Sequence, residues 1–333
     1  MIGFLLRRVL AVIPVLFVVA LFTFYMMKQA KGGPFDSDKP PSAITLATLN
    51  ARFGLDKPTW INTAAFANSS GNPLKSVRAL FDSQFGNYVI NAVQGDLGPT
   101  YRSKGTENVQ DVIKRKFPIS LRLGLVALIF AILVGFPLGI MGALKQNTIF
   151  DYFSLILATI GVSVPTFVTG ILLTLFLSRV FGVKPVKDPT AWTSISTAYI
   201  PPAIVLGLGT MAFITRLTRS SMLEVKRQDY VRTARAKGMG DRIVISRHML
   251  RNSLIPVVTI LGPAVAGLVT GSFIIESIFG VPGIGSDFVS SITARDYSMI
   301  MGSTLFFALL VALGNISVDI AYGFLDPRIR NRK

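Results

Sequence analysis

The sequence predicts an all-α membrane protein, a bundle of six transmembrane helices. Only 15% of its residues are charged and 51% are hydrophobic, whereas a soluble domain carries about 25% charged residues. The hydrophobic residues fall into six runs, each near the ~20 residues that a helix needs to cross a bilayer. The net charge of +17 lies mostly between these runs, which is typical of a membrane protein and not of one that binds nucleic acid.

The first run, 9–27, follows Arg7 and Arg8 and is predicted to be a retained span. It is too long for the apolar part of a signal peptide, and no A-x-A cleavage site follows it.

The remaining predicted spans are 123–144, 152–178, 198–215, 254–275 and 299–318. Pro165 is expected to kink the third span, 152–178. The fourth span, 198–215, contains prolines and glycines, which membrane helices tolerate when neighbours satisfy the freed backbone groups.

The basic residues predict the orientation of the bundle. Ten Lys and Arg residues lie within 216–251, and others lie at the start and in the tail at 328–333. Six spans place all three groups on one side, which the positive-inside rule makes cytoplasmic. The predicted organisation is a first helix at 1–27, an extracytoplasmic segment at 28–117, and a transmembrane core at 118–333 with a cytoplasmic loop at 216–253.

The segment 28–117 is rich in turn-forming residues but contains two predicted amphipathic helices, at 43–55 and 107–117. The second helix should enter the second span just before Pro118. A segment of this length is more than a connector. It is either a docking surface or lid for an external partner, or a covering domain with no partner role.

The sequence contains no recognisable catalytic or metal-binding pattern. It has no cysteine, one histidine, no phosphate-binding loop and no H-E-x-x-H motif. We therefore expect no catalytic residue, no metal site and no cofactor in this chain. Ionisable residues inside the spans are functional candidates by default. The candidate lining of a substrate path was chosen by charge, or by polarity beside glycines and prolines, and comprises Ser163, Thr166, Ser272, Glu276 and Asp319.

The stretch "QDYVRTARAKGMGD" (228–241) predicts a short helix between two spans. Asp229 is a good N-cap, and Gly238 suits the position just after the helix. Tyr230 and Ala234 share a face, and the small alanines would let the helix press into a groove. Its cations could pair with acids on a partner. The alternative is a basic loop that only sets topology.

An ordered set of motifs covering nearly the whole chain resembles one family. "DYVRTARAKGMGDRIVISRHMLRNSLIPVV", "GDLGPTYRSKGTENVQDVIKRKFPISLRLG", "GALKQNTIFDY", "GSFIIESIFGVPGIG", "RDYS" and "DPRIR" are similar to segments of the B-type permease subunit of oligopeptide/dipeptide ABC importers. The general importer motif begins Glu-Ala-Ala, and here Arg232-Thr233-Ala234 stands in its place, as is usual in the peptide branch. Residues 61–80 look longer than in typical members.

The resemblance implies a partner permease, two ATPase subunits that bind ATP and Mg, an extracytoplasmic binding protein and a peptide substrate, all acting in the lipid membrane. One ATPase subunit would hold the coupling residues Asp229, Tyr230, Val231, Arg232, Thr233, Ala234, Arg235, Ala236, Lys237 and Gly238. Oligopeptides are the expected cargo, with dipeptides, nickel chelates or other cargo of the same family as alternatives. A self-sufficient secondary transporter, or a scaffold or receptor without transport, remain the alternatives from other classes.

Overall fold

The computed structural model describes residues 2–30, 32–35, 42–68, 78–182, 186 and 188–325. For residues 2–5, 318–319 and 321–325 it describes the backbone only. Within the described residues the chain is helical, and its one β-feature is an isolated bridge between Pro99 and Asn108. The chain folds into two compact units. The core unit comprises Phe117–Ser286 and the chain from Leu310, and the flanking unit comprises Leu6–Lys116 and Asp287–Leu309.

Thirteen described α-helices follow one another along the chain, apart from a short helical stretch at 78–80. The first five are α1 (Ile2–Gln29), α2 (Ala43–Arg52), α3 (Thr63–Asn68), α4 (Gln84–Val93) and α5 (Val109–Leu144). The next four are α6 (Ile149–Ser163), α7 (Thr166–Phe181), α8 (Ile200–Lys226) and α9 (Asp229–Ala236). The last four are α10 (Asp241–Val269), α11 (Phe273–Phe279), α12 (Ile284–Thr293) and α13 (Tyr297–Leu325). Within α10, Val244–Leu250 is a π-helix.

Both amphipathic helices predicted for 28–117 are present, since α2 occupies 43–52 and α5 begins at Val109 and continues past Pro118. Five described helices are long and apolar enough to cross a membrane: α1, α5, α8, α10 and α13. Two bent pairs, α6 with α7 and α11 with α12, raise the number to seven if each pair is one span. The predicted count of six spans is reached if α6 with α7 forms one span and α11 with α12 forms none. The count of six stays a prediction.

The third predicted run is broken at Pro165, as expected. Val164 leaves the helical region with φ −84° and ψ 124°, because a proline crowds the helical conformation of the residue before it. Pro165 then precedes α7, and the axes of α6 and α7 differ by 109°. The kink prediction is confirmed, and the bend is far larger than a proline kink in a continuous helix.

The fifth predicted run, 254–275, is wrong at its C-terminal end. Helix α10 ends at Val269, and Gly271 adopts a φ of +82°, which L side chains rarely reach. Ser272 then caps the separate helix α11 by accepting a hydrogen bond from the Ile275 amide. Hydropathy could not show this break, because the residues on both sides of it are apolar.

Glycines allow α5 and α8 to cross closely in the core unit. A Cβ on Gly139 would lie 2.6 Å from the Thr218 Cβ, and one on Gly135 would lie 2.8 Å from the Met211 carbonyl oxygen. From the α8 side, a Cβ on Gly207 would lie 2.6 Å from the Ala127 carbonyl oxygen. The small residues in "GFPLG" therefore form a helix-packing surface, as their spacing indicates.

We expect Gly139→Ala to destabilise the protein by about 1–3 kcal/mol, because the added methyl group would overlap Thr218. The matched control is Gly209→Ala on α8, where an added Cβ meets only the Gly161 carbonyl oxygen at 3.9 Å. Thermal unfolding of the purified protein in detergent would measure both. Equal melting temperatures for the two variants would contradict close packing at this crossing.

Candidate functional site

The short helix α9 is attached to the core unit by one apolar face. Val231 is fully buried and Ala234 is 5% exposed. They belong to a cluster that we call the anchor cluster, which joins the end of α5, the end of α8 and the start of α10. Its other buried members are Ala143, Met222, Val225, Val244 and Met249. Helix α9 is therefore packed against three other helices.

The ends of α9 are only partly as predicted. Gln228, not Asp229, is the N-cap residue, with extended dihedral angles. Asp229 is the first helical residue, and its side chain is 97% exposed. Its carboxylate therefore makes no capping hydrogen bond and interacts with the positive end of the helix dipole only through space. At the other end the prediction is confirmed: Gly238 has φ +73° and its amide donates to the Arg235 carbonyl at 2.9 Å.

The exposed face of α9 carries most of its charge. Arg232 lies 3.7 Å from Asp229, and Arg235 lies 3.7 Å from Asp241. Pairs this exposed contribute little to stability, so the cations can take a stronger acidic partner. Ala234, one of the alanines expected to let the helix press into a groove, packs into the anchor cluster of its own chain. The small exposed residue of α9 is Ala236.

Tyr230 lies one helical turn before Ala234 in α9, as the spacing predicts, but it is much more exposed. Its side chain is 41% exposed, and its hydroxyl accepts a hydrogen bond from the Asn252 side chain at 2.9 Å. Asn252 lies in α10, just after the π-helical stretch. Tyr230 therefore forms a second, polar attachment between α9 and α10, beside the apolar one.

Glu276 is buried inside the core unit, with 1% of its surface exposed. Its Oε1 accepts a hydrogen bond from the Ser120 hydroxyl at 2.8 Å, and its Oε2 accepts one from the Ser286 amide at 3.0 Å. The Ser120 oxygen in turn accepts from the Ile284 amide at 2.9 Å. The carboxylate therefore fixes the "GVPGIG" turn between α11 and α12 to the start of the core part of α5.

Glycine is required around this carboxylate. A Cβ on Gly271 would overlap Glu276 Oε1, and one on Gly283 would overlap the same atom. The motifs "KFPISLRLG" and "GSFIIESIFGVPGIG", far apart in the sequence, thus meet at one acid.

The other predicted path residues lie at helix breaks or outside the description. Ser163 and Thr166 flank the break between α6 and α7, and both are exposed in the single chain. Ser272 is half-buried and caps α11. The side chain of Asp319 lies outside the described residues. Among the described residues, Ser163 and Thr166 thus lie at one helix break, and Ser272 and Glu276 lie at the start of α11 and within it.

An ion pair that the sequence analysis missed joins α6 to α8. Arg219 donates to both oxygens of Asp151, at 2.5 and 2.8 Å, and the Asn147 amide also donates to this carboxylate at 2.9 Å. The Asp151 side chain is 2% exposed and that of Arg219 is 20% exposed. In the sequence, Asp151 stands at the start of one apolar run and Arg219 near the end of another. The spacing of residues along the chain does not show that these two side chains meet.

In the flanking unit, the motifs "GDLGPTYR" and "RDYS" meet at Asp296. This residue is 2% exposed and caps α13 through the Met299 amide, while its second oxygen accepts from the Arg102 amide. The Tyr297 hydroxyl donates to the Gly32 carbonyl at 3.2 Å.

Two other groups of the flanking unit have shifted pKa values. Burial raises the pKa of the Tyr101 hydroxyl. The Lys57 ammonium group holds the pKa of the Asp82 carboxyl below its usual range.

Among the described residues, no group of three or more His, Cys, Asp or Glu side chains could hold a metal ion. The expectation of no metal in the whole chain stays a prediction. What the core unit offers is an anchored, cationic surface helix and a set of broken apolar helices.

Residues 135–331 match the family described as "Binding-protein-dependent transport system inner membrane component". The chain belongs to this family. It is an all-α, multi-pass protein of the inner membrane, and its family is one of transport permeases and not of catalytic subunits.

Relatives match over almost the whole chain. The dipeptide transport system permease protein DppB of Bacillus subtilis (strain 168) is 39% identical, over 99% of this chain and 98% of its own length. The oligopeptide transport system permease proteins OppB of Haemophilus influenzae and Escherichia coli (strain K12) are 35% and 36% identical, over 99% of this chain and 100% of theirs. These matches confirm the resemblance found in the sequence.

A solved structure shows the same fold. A chain of the MetNI methionine ABC transporter in an inward-facing conformation aligns with a TM-score of 0.53 and 18% identity, over 65% of this chain and 97% of that chain. The all-α permease architecture predicted from the sequence is therefore confirmed at the level of the fold.

We expect Asp151→Asn to lower the stability of the protein by about 2–5 kcal/mol, because it leaves the Arg219 guanidinium without a charged partner in a largely buried place. The control is Glu107→Gln, which makes the same chemical change in a pair whose arginine, Arg115, is 60% exposed. Thermal unfolding of both variants measures the difference. Similar losses would show that the Asp151 pair is no stronger than a surface pair.

Proposed function

We propose that the chain is the transmembrane subunit of an ATP-driven peptide importer. With a second, homologous permease it would form the path for peptides that an extracytoplasmic binding protein delivers. The observation that carries the proposal is α9: a short helix anchored by Val231 and Ala234 and cationic on its exposed face. It lies in a chain whose relatives along its whole length are named as peptide permeases.

Energy enters from outside this chain. The sequence contains no phosphate-binding loop, so ATP and Mg would bind in two separate ATPase subunits. One of these subunits would receive α9, with its acids facing Arg232, Arg235 and Lys237. This arrangement places residues 216–253 and both termini in the cytoplasm and the segment 28–117 outside, as the distribution of Lys and Arg predicts.

The contacts of α9 suggest how its displacement would spread. The anchor cluster joins α9 to α8 and to the π-helical start of α10, and π-helical stretches are frequent at functional sites. The ion pair between Arg219 and Asp151 joins α8 to α6. Helix α6 ends at the break at 163–166. A push on α9 would therefore reach this break through two helices.

The break itself supports a place in the path. Non-helical backbone within a membrane is tolerated where it is buried in protein or lines a water-filled cavity. Ser163 and Thr166 are exposed in the single chain, so a second permease or the path must cover them. We propose that both line the path, with Ser272 and Asp319 as further candidates. Glu276, which its own chain surrounds, would instead hold the turn at 280–285 in position.

The proposed cargo is peptide, with oligopeptides as the first expectation. The relatives include dipeptide and oligopeptide permeases at 35–39% identity, so peptide length is a matter for measurement. A self-sufficient secondary transporter is the second candidate. Such transporters use carboxylates near the middle of the membrane, whereas Glu276 is buried among hydrogen-bond donors of its own chain.

Reconstituted vesicles test the proposal directly. The chain, its partner permease, the ATPase subunits and the binding protein would be incorporated together and supplied with labelled peptides of two to eight residues. We expect uptake that requires ATP and the binding protein and survives a protonophore. Uptake that continues without ATP and stops with a protonophore would establish the secondary transporter instead.

The exposed face of α9 gives a sharper test. We expect Ala236→Glu to weaken co-purification of the ATPase subunits and to lower peptide-stimulated ATP hydrolysis, because it adds an acid to a cationic docking face. Membrane insertion should be unchanged. Ala234→Glu is a poorer test, since it would bury an acid in the anchor cluster.

The matched control for Ala236→Glu is Ala47→Glu, which changes an exposed alanine on the amphipathic helix α2. It should leave ATPase binding at the wild-type level. If Ala236→Glu also co-purifies ATPase subunits and hydrolyses ATP like the wild type, α9 is not the docking helix.

A further inference from the structure

The flanking unit contains a cleft of about 490 Å³ between α1, α2, α4 and the start of α13. This volume lies within the range of about 300–1,000 Å³ for small-molecule sites. Aromatic side chains form much of its wall, including Phe24, Phe53, Tyr101 and Tyr297. The rings of Phe53 and Tyr101 lie edge to face, with centroids 4.3 Å apart. The cleft is therefore a preformed concavity whose wall combines aromatic rings with polar and charged side chains.

Lys28 lies in this wall without a carboxylate partner in the described part of the chain. The wall also carries Arg52, which donates to the Gly105 carbonyl, Lys57, which pairs with Asp82, and the carboxylate of Asp96. The Lys28 ammonium group donates to the Gln84 side-chain oxygen at 2.6 Å. It also lies 5.5 Å from the centre of the Phe24 ring and 5.3 Å from that of Tyr297. An ammonium group has three hydrogens to donate, and a partly buried charge gains most from an opposite charge. The cleft therefore favours an anionic group at this point.

Helix α4, which carries Gln84, also offers neutral hydrogen-bonding groups to the cleft. Tyr88 and Asn91 both line the cleft. The Tyr88 hydroxyl is buried and has no hydrogen-bond partner among the described residues, and burial raises its pKa, so it stays protonated and can donate. Buried hydroxyl groups are nearly always bonded. Asn91 presents a side-chain amide, which can both donate and accept, as a peptide bond does.

We propose that this cleft binds the C-terminal end of a short peptide. The peptide carboxylate would pair with Lys28, its last side chain would lie against the aromatic wall, and its peptide bond would face Tyr88 and Asn91. This inference rests on the proposed peptide import. It adds a recognition site in the flanking unit that is separate from the path at 163–166. Recognition of the carboxylate and backbone would leave the peptide sequence largely free.

The test compares a free acid with its amide. The purified complex of the chain with its partner permease and ATPase subunits, without the binding protein, would be titrated calorimetrically with Ala-Ala-Phe and with Ala-Ala-Phe-amide. We expect the amide to bind at least about tenfold more weakly, because it lacks the charge that Lys28 pairs with. Equal affinities of the wild-type complex for the two ligands would overturn the proposal without any mutation.

Three variants assign the effect to Lys28. Lys28→Met should bind acid and amide equally weakly, and Lys28→Arg should restore the preference for the acid. The matched control is Lys114→Met, which removes an exposed lysine of the flanking unit that is not part of the cleft. It should behave like the wild type. Persistence of the acid preference in Lys28→Met would show that another group binds the carboxylate.

Two further readouts separate the possible failures. Titrations in nanodiscs with and without phosphatidylglycerol would show whether a lipid headgroup occupies the cleft; displacement of the peptide by this lipid would overturn the proposal. ATP-driven uptake of Ala-Ala-Phe in vesicles without an acid preference in binding would reject the cleft and keep the importer. Acid-selective binding without any ATP-driven uptake would reject the importer.

Discussion

The structure depends on the requirement that a carboxylate hidden from water must find its partners within the protein. Three acids are almost completely buried: Asp151 and Glu276 at 1% exposure and Asp296 at 2%. Each connects segments that are far apart in the chain. The separations are 68 residues from Asp151 to Arg219, 156 from Glu276 to Ser120 and 194 from Asp296 to Arg102. Other contacts of similar or longer range accompany them, such as those from the Thr215 hydroxyl to the Gly135 carbonyl and from the Tyr297 hydroxyl to the Gly32 carbonyl. The buried acids are thus part of the set of contacts that fixes where the loops between apolar helices lie.

The apolar helices alone would not fix those loops. In lipid, helices associate through close packing of small residues and through occasional polar contacts, because the tails of the lipids are as apolar as the side chains. Gly135 and Gly139 supply the close packing between α5 and α8. A bidentate ion pair adds a contact of defined geometry. The pair of Asp151 and Arg219 therefore fixes α6 against α8 in addition to the packing of apolar side chains.

Much of the local structure could be predicted from the sequence, because its causes are local. Pro165 breaks its helix through contact with the preceding residue, and Gly238 ends α9 because it tolerates a positive φ. The partners of Asp151 and Glu276 could not be predicted, since a single sequence does not show which distant residues meet. The N-cap of α9 was placed one residue late, at Asp229, because Gln228 caps it by backbone geometry without a side-chain hydrogen bond.

The two faces of α9 explain where its small residues and its charged residues lie. A helix that transmits force must be attached firmly on one side and complementary to its partner on the other. Small or branched apolar residues suit the attached side because they pack without gaps, and cations suit the other. Val231 and Ala234 therefore face the anchor cluster, while Arg232 and Arg235 face outward. An attachment shared by α5, α8 and α10 cannot yield at one helix without disturbing the others. If an ATPase subunit binds α9 as proposed, a force on α9 would be carried into α8, and from Arg219 to Asp151 and α6.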